Sequence, residues 1–211
     1  MCSERCQLVI GACRIGCYSL YRALCCCSPP APRPEYHVVC LGMSGAGKTT
    51  LLTLLQCGET TDDIEPTSGF NIKAVQFEEA ILNVKEVGGA ENIRPYWDRY
   101  YQQTQGVVFV MDSACSQEAL QTVGGLLAGI LSHESLRGLP FVLLASHQDK
   151  MEARSSEQLT KDLELERLCA GRQWVVCPCS IQDQEPVRQA LERFVTFLLN
   201  TAGKESEENR V

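Results

Sequence analysis

The sequence predicts an α/β fold, a mixed sheet of about six strands with helices on both faces. Apolar runs rich in Val, Ile, Leu and Phe alternate with segments of helical periodicity. Several of these runs are nearly continuous, which is typical of strands buried on both faces. Two of the runs are separated by only Glu78–Ala80, so they should form an antiparallel hairpin within an otherwise parallel sheet.

The elements are predicted in the following order. The strands are Tyr36–Leu41, Ile72–Phe77, Ile81–Val87, Gly106–Met111, Phe141–Ser146 and Trp174–Cys179. The helices are Thr49–Cys57, Gln117–Ser132, Ser156–Cys169 and Glu185–Leu199. The hairpin supplies one antiparallel edge strand, and right-handed crossovers join the other strands. Ligands are therefore expected at the carboxyl ends of the strands.

Composition divides the chain into three regions. Residues 1–34 form a basic arm that holds seven of the 13 cysteines and ends in the proline-rich linker Ser28–Pro34. Residues 35–200 carry the predicted strands and helices. Residues 201–211, which include the run KESEENR, predict a disordered acidic tail. The net charge of -7 over 211 residues argues against a nucleic-acid binder with a broad basic face.

A glycine-rich segment between the first predicted strand and the first predicted helix matches the phosphate-loop pattern G-x-x-x-x-G-K-[ST]. It consists of Gly42, Met43, Ser44, Gly45, Ala46, Gly47, Lys48 and Thr49. The glycines let backbone N–H groups face phosphate oxygens, Lys48 neutralises phosphate charge, and the Thr49 hydroxyl is a ligand for Mg²⁺. A glycine-rich turn with a chance Lys-Thr is the alternative, and the strand–loop–helix context disfavours it.

Five further segments resemble, in order and spacing, the small GTPases of the ADP-ribosylation-factor family. They are Glu65–Asn71, Glu86–Ala90, Ile93–Trp97, Val110–Ser113 and Ser146–Lys150. The resemblance covers residues 36–199. It implies a three-layer, phosphate-loop small GTPase domain at residues 35–200 that binds GTP or GDP with Mg²⁺. It also implies two switch segments that rearrange when the γ-phosphate is lost.

The resemblance assigns roles around the nucleotide. Thr67 closes switch I over Mg²⁺ and the γ-phosphate, the Gly89 N–H meets the γ-phosphate, and Asp149 accepts two N–H bonds from guanine. The remaining residues of the predicted nucleotide site are Ser146, His147, Gln148 and Ser180. An ordinary loop threonine, a simple Gly-Gly turn and a surface histidine are the alternatives for Thr67, Gly89 and His147.

Two departures from the family concern the metal and the reaction. Glu86 stands where the family has an aspartate that holds Mg²⁺ through water, so the metal site would comprise Thr49, Thr67 and Glu86. Ala90 replaces the glutamine that orients the attacking water. A methyl group cannot position water, so we expect very slow intrinsic GTP hydrolysis and assign no catalytic residue.

Other departures concern the base and the partners. Ser146 replaces an asparagine and loses the amide that braces its loop, and His147 replaces a lysine, so we expect a preference for guanine with weakened affinity. Of the family's aromatic triad at the effector face, Phe70 and Tyr100 are kept but Lys85 replaces the tryptophan. That exchange predicts a changed set of partners. Arg94 and Trp97 should brace switch II.

The arm predicts attachment to a membrane. Cys25, Cys26 and Cys27 end a basic, partly apolar segment, a pattern typical of S-palmitoylation. Residue 2 is not glycine, which excludes N-myristoylation. Arginines interrupt every apolar run that approaches the length of a membrane span, and no secretory signal is expected. A zinc site built from the arm's thiolates and a set of inert thiols remain alternatives.

Together these features predict a membrane-associated, guanine-nucleotide-dependent switch. Its place would be the cytoplasmic face of a Golgi, endosomal or plasma membrane, with part of the protein in the cytosol. Its partners would be effectors and regulators at the switch regions, with cytosolic parts of membrane proteins among the candidates. The alternative is an interaction module that binds nucleotide without cycling or works without nucleotide. An ATP-hydrolysing or kinase-type enzyme is disfavoured by Asp149 and by the lack of a lid-like basic segment.

Overall fold

The computed structural model describes residues 33–58 and 65–208, and within them six strands form one mixed sheet in the order β2-β3-β1-β4-β5-β6. The strands are β1 (Glu35–Leu41), β2 (Phe70–Gln76), β3 (Ile81–Val87), β4 (Gly106–Asp112), β5 (Phe141–Ser146) and β6 (Trp174–Pro178). β2 pairs antiparallel with β3, and the other neighbours pair in parallel. The predicted α/β fold with one antiparallel edge strand is confirmed.

The cysteine-rich arm lies outside the described residues. Cys25, Cys26 and Cys27 are therefore not placed by the structure, and neither are residues 59–64 and 209–211. Side chains are described up to residue 203. Acylation of the arm accordingly stays a prediction.

Helices cover both faces of the sheet. They are α1 (Lys48–Cys57), α2 (Gln117–Ser132), α3 (Ser156–Asp162), α4 (Leu165–Leu168) and α5 (Glu185–Glu208). Two 3-10 helices, Arg94–Tyr100 and Glu134–Leu136, were not predicted from the sequence. Such short helices span about one or two turns, too few for a clear apolar periodicity.

Two apolar cores flank the sheet. In β4, Val108 and Val110 lie in the core that α1 and α5 cover. Val107, Phe109 and Met111 lie in the opposite core, which α2, α3 and α4 cover. Successive residues of a strand face opposite sides, so a central strand between two cores must be apolar at every position. This explains the continuous apolar runs in the sequence.

The predicted helix Ser156–Cys169 is wrong in one respect, because the structure divides it into α3 and α4. Glu164 interrupts it with a φ of 50°. Leu163 and Leu165 are both buried, yet residues two apart on a continuous helix point about 200° apart. The break therefore lets both leucines enter the same core.

α5 extends nine residues beyond its predicted end at Leu199. Residues 201–208 of the predicted disordered tail are thus helical, which corrects that part of the prediction. Their Lys and Glu residues are good helix formers as well as typical of disordered tails, so composition does not separate the two states.

The fold gathers the loops that follow β1, β3, β4, β5 and β6 at one region of the sheet edge. In parallel strands these carboxyl ends lie side by side, and ligands of such sheets bind there. Among the helices in the described residues, none combines the length and apolar character needed to cross a bilayer.

Candidate nucleotide-binding site

The phosphate loop connects the end of β1 to the start of α1. Gly45 and Gly47 have φ values of 77° and 83°, in the left-handed region that favours glycine. A Cβ on Gly42 would lie 2.1 Å from the carbonyl oxygen of Val110 in β4, so only glycine lets the loop approach the sheet this closely. The backbone therefore curls as a phosphate cradle requires.

A cavity of about 250 Å³ lies over this loop. Residues predicted to bind nucleotide line it from the loop, from both switch segments and from the base-reading segment: Ser44, Gly45, Gly47, Lys48, Thr49, Thr67, Gly89 and His147. Met43 and Ala46 instead pack against the two apolar cores. They contribute backbone rather than side chain to the loop.

Lys48 folds back over the phosphate loop. Its Nζ donates to the carbonyl oxygen of Gly42 at 2.8 Å and to that of Met43 at 2.9 Å. Burial lowers the pKa of Lys48 from its ordinary value, because the charged form is less well solvated there. The bonds hold the ammonium group at the loop, where phosphate oxygens can become its acceptors.

Both predicted switch segments touch one another and the loop. The Ser44 N–H donates to the carbonyl oxygen of Gly89 at 3.2 Å. A Cβ on Gly89 would lie 2.2 Å from the carbonyl oxygen of Gly42, and one on Gly88 would lie 2.4 Å from that of Thr67. The glycine pair is therefore required for close backbone packing, which a simple surface turn would not need.

Arg94 and Trp97 brace the second switch segment, as predicted. Arg94 Nε donates to the carbonyl oxygen of Gly89 at 3.0 Å, and Trp97 Nε1 donates to that of Gly88 at 2.9 Å. Trp97 is buried. Its position links the backbone of the glycine pair to the core beneath.

Three side chains bring oxygen atoms together at the start of α1. Thr49 Oγ1 donates to Glu86 Oε1, and Thr67 Oγ1 lies 3.4 Å from Thr49 Oγ1 and from Glu86 Oε1. These are the residues predicted to hold Mg²⁺. Hydroxyl and carboxylate oxygens are suitable ligands for this cation, so the residues fit it. Across the described residues, no group of three or more His, Cys, Asp or Glu side chains is placed to hold a metal.

Lys73, which sequence reasoning missed, lies beside this oxygen cluster. Its Nζ is 3.7 Å from Glu86 Oε2 and donates to the Thr49 carbonyl oxygen at 3.2 Å and to Thr53 Oγ1 at 2.7 Å. The alternation of side chains along β2 could have predicted this position, because Lys73 lies on the same face of the strand as Val75, which is fully buried. A lysine on the inner face of a strand is rarely buried unless its ammonium group is paired with an acidic or other acceptor group.

Ser146 contacts the phosphate loop through its hydroxyl in place of the family's amide. Its hydroxyl lies 2.8 Å from the carbonyl oxygen of Ala46 in the phosphate loop and 2.9 Å from that of Met111 at the end of β4. Ser146 is buried, and a serine placed this close to both backbones spans the gap without an amide. The amide is lost, as expected, but the single hydroxyl proton can be donated to either carbonyl oxygen, so a shorter link to the loop remains.

His147 is tied to a carboxylate at the end of β4. Its Nδ1 lies 3.3 Å from Asp112 Oδ1, and Lys150 Nζ lies 3.0 Å from Asp112 Oδ2. Burial raises the pKa of Asp112, but bonds from Lys150 and from the Ala114 N–H outweigh it and hold the pKa below its ordinary value. Asp112 thus fixes the His147 ring at the cavity wall.

The residues predicted to read the base also meet. Ser180 Oγ donates to Asp149 Oδ1 at 3.1 Å, and the Gln148 N–H donates to the carbonyl oxygen of Cys179 at 3.1 Å. Gln148 Nε2 also bonds the carbonyl oxygen of Arg154 at 3.1 Å. The loops after β5 and β6 are therefore joined, with the exposed Asp149 carboxylate between them.

Comparison with known proteins identifies the architecture. The sequence model of the ADP-ribosylation factor family matches residues 29–198. The chain belongs to this family. It is 51% identical over 181 residues to ADP-ribosylation factor-like protein 15 of Bos taurus, covering 86% of this chain and 89% of that protein. The human protein of that name is 50% identical over 181 residues, 86% of this chain and 88% of the human protein.

More distant relatives support the same family assignment. ADP-ribosylation factor-like protein 14 of Mus musculus is 36% identical over 165 residues, which cover 78% of this chain and 85% of that protein. A solved structure of the Arl6 BBS3 small GTPase from Trypanosoma brucei with the bound nucleotide analogue GppNp matches with a TM-score of 0.66 and 25% identity. It covers 81% of this chain and 98% of that chain. The resemblance inferred from the sequence segments is confirmed.

The residues predicted to form an effector face, Phe70, Lys85 and Tyr100, lie on or beside the β2–β3 hairpin. Phe70 at the start of β2 and Tyr100 have ring centroids 5.4 Å apart. Lys85 pairs across the hairpin with Ile72, a residue that is 63% exposed. Phe70 and Tyr96 are about half exposed. The face thus combines an aromatic pair with a neighbouring cation, where the family pattern has a third aromatic residue.

Proposed function

We propose that this member of the ADP-ribosylation factor family is a guanine-nucleotide-dependent switch with very slow intrinsic GTP hydrolysis. The contact of both switch segments with the phosphate loop supports a switch: Gly89 bonds Ser44, and Thr67 lies against Thr49. A γ-phosphate on this loop would meet both segments. Its loss would remove contacts from both at once.

The phosphates would lie in the cavity over the loop. Loop N–H groups and Lys48 would bind their oxygens, and the positive end of α1 adds to the attraction. Thr49, Thr67 and Glu86 would hold Mg²⁺, directly or through water. The bound cation would neutralise charge on the β- and γ-phosphates.

The residues around the base favour guanine. The Asp149 carboxylate is exposed at the end of the joined loops and retains an oxygen, Oδ2, beside the one that Ser180 binds. A carboxylate accepts two N–H bonds from guanine, whereas adenine offers the opposite pattern. His147 lines the cavity over the phosphate loop and precedes the base-reading Asp149 by two residues.

Slow hydrolysis follows from Ala90. It lines the cavity next to Gly89, where a side chain could reach a water that attacks the γ-phosphate. A methyl group has no donor or acceptor for that water, and positioning supplies much of the rate in phosphoryl transfer. A regulatory protein that contributes such a group would raise the rate.

Trp97 offers a direct test, because it bonds the backbone of switch II. Full-length protein carrying Trp174→Phe retains one tryptophan, Trp97. We expect its fluorescence to differ between the GDP-loaded and GTP-analogue-loaded forms, and ATP to leave it unchanged. Identical spectra with both guanine nucleotides bound would reject the switch.

A second candidate is an interaction module that does not cycle. The departures at Ala90, Glu86, Ser146 and Lys85 favour it, because each replaces a residue to which the family resemblance assigns a role. Titration of the full chain with fluorescent GDP, GTP and ATP analogues separates the switch from a module that works without nucleotide, and the Trp97 comparison separates it from a module that binds nucleotide without cycling. Submicromolar binding of both guanine nucleotides supports the switch, and binding that is absent or indifferent to the base supports the module.

We also place the protein at the cytoplasmic face of a membrane through acylated cysteines in its arm. Clustered thiols beside a basic, partly apolar segment support this proposal. Replacing Cys25, Cys26 and Cys27 together with serine should remove acyl-exchange labelling and move the protein to the soluble fraction. The matched control, serine at Cys2 and Cys6, should stay membrane-bound. Retention of the triple variant in the membrane fraction would refute the assignment.

A further inference from the structure

We infer that Lys73 is a counter-cation for the metal-site carboxylate Glu86. It neutralises the charge of this carboxylate, which Mg²⁺ would otherwise do. Nucleotide retention is then only weakly dependent on Mg²⁺. This consequence rests on the proposed nucleotide binding, whereas the pairing of Lys73 with Glu86 does not.

The hairpin places both groups on the same face of the sheet. Glu86 in β3 lies opposite Asn71 in β2, and Lys73 lies two residues further along β2. Residues at this diagonal are within reach of each other when their side chains are long. The face they share also carries Val75 and Val84, which pack with α1 in one core.

The carboxylate of Glu86 needs a cation. The residue is 0% exposed, and Oε2 has no hydrogen-bond partner among the described residues. A buried ionised carboxylate is costly unless it is paired with an opposite charge. Lys73 Nζ, at 3.7 Å from Oε2, supplies that charge.

Lys73 is held in place by α1. Its ammonium donates to the carbonyl oxygen of Thr49 and to Thr53 Oγ1, and its side chain is 14% exposed. Thr49 is also the residue whose hydroxyl bonds Glu86 Oε1. The lysine and the metal-site hydroxyl therefore bind the same carboxylate from two sides.

Glutamate suits this arrangement better than aspartate. The extra methylene carries the carboxylate far enough to meet Thr49 and Lys73 together. With Lys73 beside it, Glu86 is already neutralised, so a divalent cation gains less attraction from the carboxylate and meets repulsion from the ammonium. The glutamate in β3 and the inward lysine in β2 thus act together.

The test measures release of fluorescent GDP from the full chain with Mg²⁺ present or chelated. For the wild type we expect chelation to change the release rate by less than about threefold, and for Lys73→Gln by at least about tenfold, which corresponds to about 1.4 kcal/mol of interaction. Lys73→Arg keeps the cation and should behave as wild type. Lys161→Gln, at an exposed position in α3, controls for loss of any lysine.

Equal acceleration of release from wild type and Lys73→Gln upon chelation would overturn the inference. A wild type that binds no guanine nucleotide would refute the proposed function instead. The pairing is then decided by unfolding experiments on nucleotide-free Lys73→Met, Glu86→Gln and the double variant. The inference requires the double variant, which carries neither charge, to lose less free energy of unfolding than the two single variants lose in sum.

The nucleotide-free protein also reports on the metal. Mg²⁺ alone should raise the melting temperature of Lys73→Gln and leave that of the wild type unchanged. In the variant the Glu86 carboxylate has lost its ammonium partner and is available to the cation. Should Lys73→Gln not fold, the double-variant comparison still applies. Additive losses in that comparison, or an equal Mg²⁺ shift in both proteins, would contradict the counter-cation.

Discussion

At Gly89 the protein has no room for a side chain. A Cβ there would lie 2.2 Å from the carbonyl oxygen of Gly42 and 2.6 Å from the Ser44 nitrogen, and these are backbone atoms that cannot rotate away. Gly89→Ala should therefore lower the free energy of unfolding by about 1–3 kcal/mol and weaken binding of GTP, whose γ-phosphate the Gly89 N–H would meet, more than binding of GDP. Denaturant unfolding and nucleotide competition measure the two effects.

The matched control is Gly125→Ala in α2. A Cβ on Gly125 meets nothing within 4 Å, and alanine in a helix is favoured over glycine by up to about 1 kcal/mol. This variant should be slightly more stable than wild type and bind nucleotide normally. A Gly89→Ala protein that matches it in both respects would contradict the close packing of switch II on the loop.

Ala90 permits a gain-of-function prediction. Ala90→Gln places an amide at the cavity wall beside Gly89, so we expect single-turnover GTP hydrolysis to accelerate by about tenfold or more. Phosphate release from GTP-loaded protein measures it. Glu91→Gln introduces the same amide one residue along the chain and should leave the rate unchanged. Equal rates for Ala90→Gln and wild type would show that the missing glutamine is not what limits hydrolysis.

Individual residues differ in how far the sequence predicts them. The phosphate loop and its lysine follow from a local pattern whose spacing and backbone geometry are linked. The brace by Ser146 does not, because it depends on Ala46 lying 100 residues away in sequence. Lys73 was missed for a related reason: its role appears only once the pairing of β2 with β3 brings Glu86 near.

Among the elements, the break between α3 and α4 concentrates backbone strain at Glu164. Its φ of 50° costs a residue with a Cβ about 1–2 kcal/mol relative to glycine. Its bond to Arg167 is exposed and contributes little. Glu164→Gly should therefore raise the free energy of unfolding by about 1 kcal/mol. Glu166→Gly, two residues on within α4, should lower it by about 1 kcal/mol. Destabilisation by both substitutions would contradict the break.

The same break shows why element boundaries were less predictable than element types. Strands and long helices carry many apolar residues at a constant period, so their existence is well determined. Ser156–Cys169 forms two helices rather than one because Leu163 and Leu165 must both pack into the same core. The sequence shows the leucines but not the direction in which that core lies.

On the scale of the whole molecule, the two cores and the cavity belong to one folded unit. The alternation of strands with helices and the three-residue hairpin connection indicate a mixed α/β sheet, which is why the architecture was predicted, whereas the strand order comes from the structure. Cys40 lies in the core beneath the phosphate loop, whereas Cys169 lies in the opposite core. Thiols in both cores therefore report on opening of the entire domain.

Burial raises the pKa of Cys40 to about 12 and that of Cys169 and of Cys177 to about 11. Because the thiolate is the reactive form, these groups should resist iodoacetamide near pH 8, whereas exposed Cys57 should react rapidly. Raised folded pKa values also mean that these thiols support stability fully below about pH 9, and that stability falls as the pH rises above that value.

Nucleotide should slow labelling of Cys40 and Cys169 alike, since a ligand that binds only the folded state lowers the population of the open state by the factor 1 + [L]/Kd. Peptide mass spectrometry of the full chain, with GDP and without it, measures each site separately, and Cys57 serves as the internal control. Protection of Cys40 alone would show that nucleotide stabilises the face beneath the phosphate loop locally. Labelling of Cys40 as fast as that of Cys57 would contradict the closed core itself. Equal protection of both sites would show that nucleotide binding and the folding of both cores form one cooperative equilibrium.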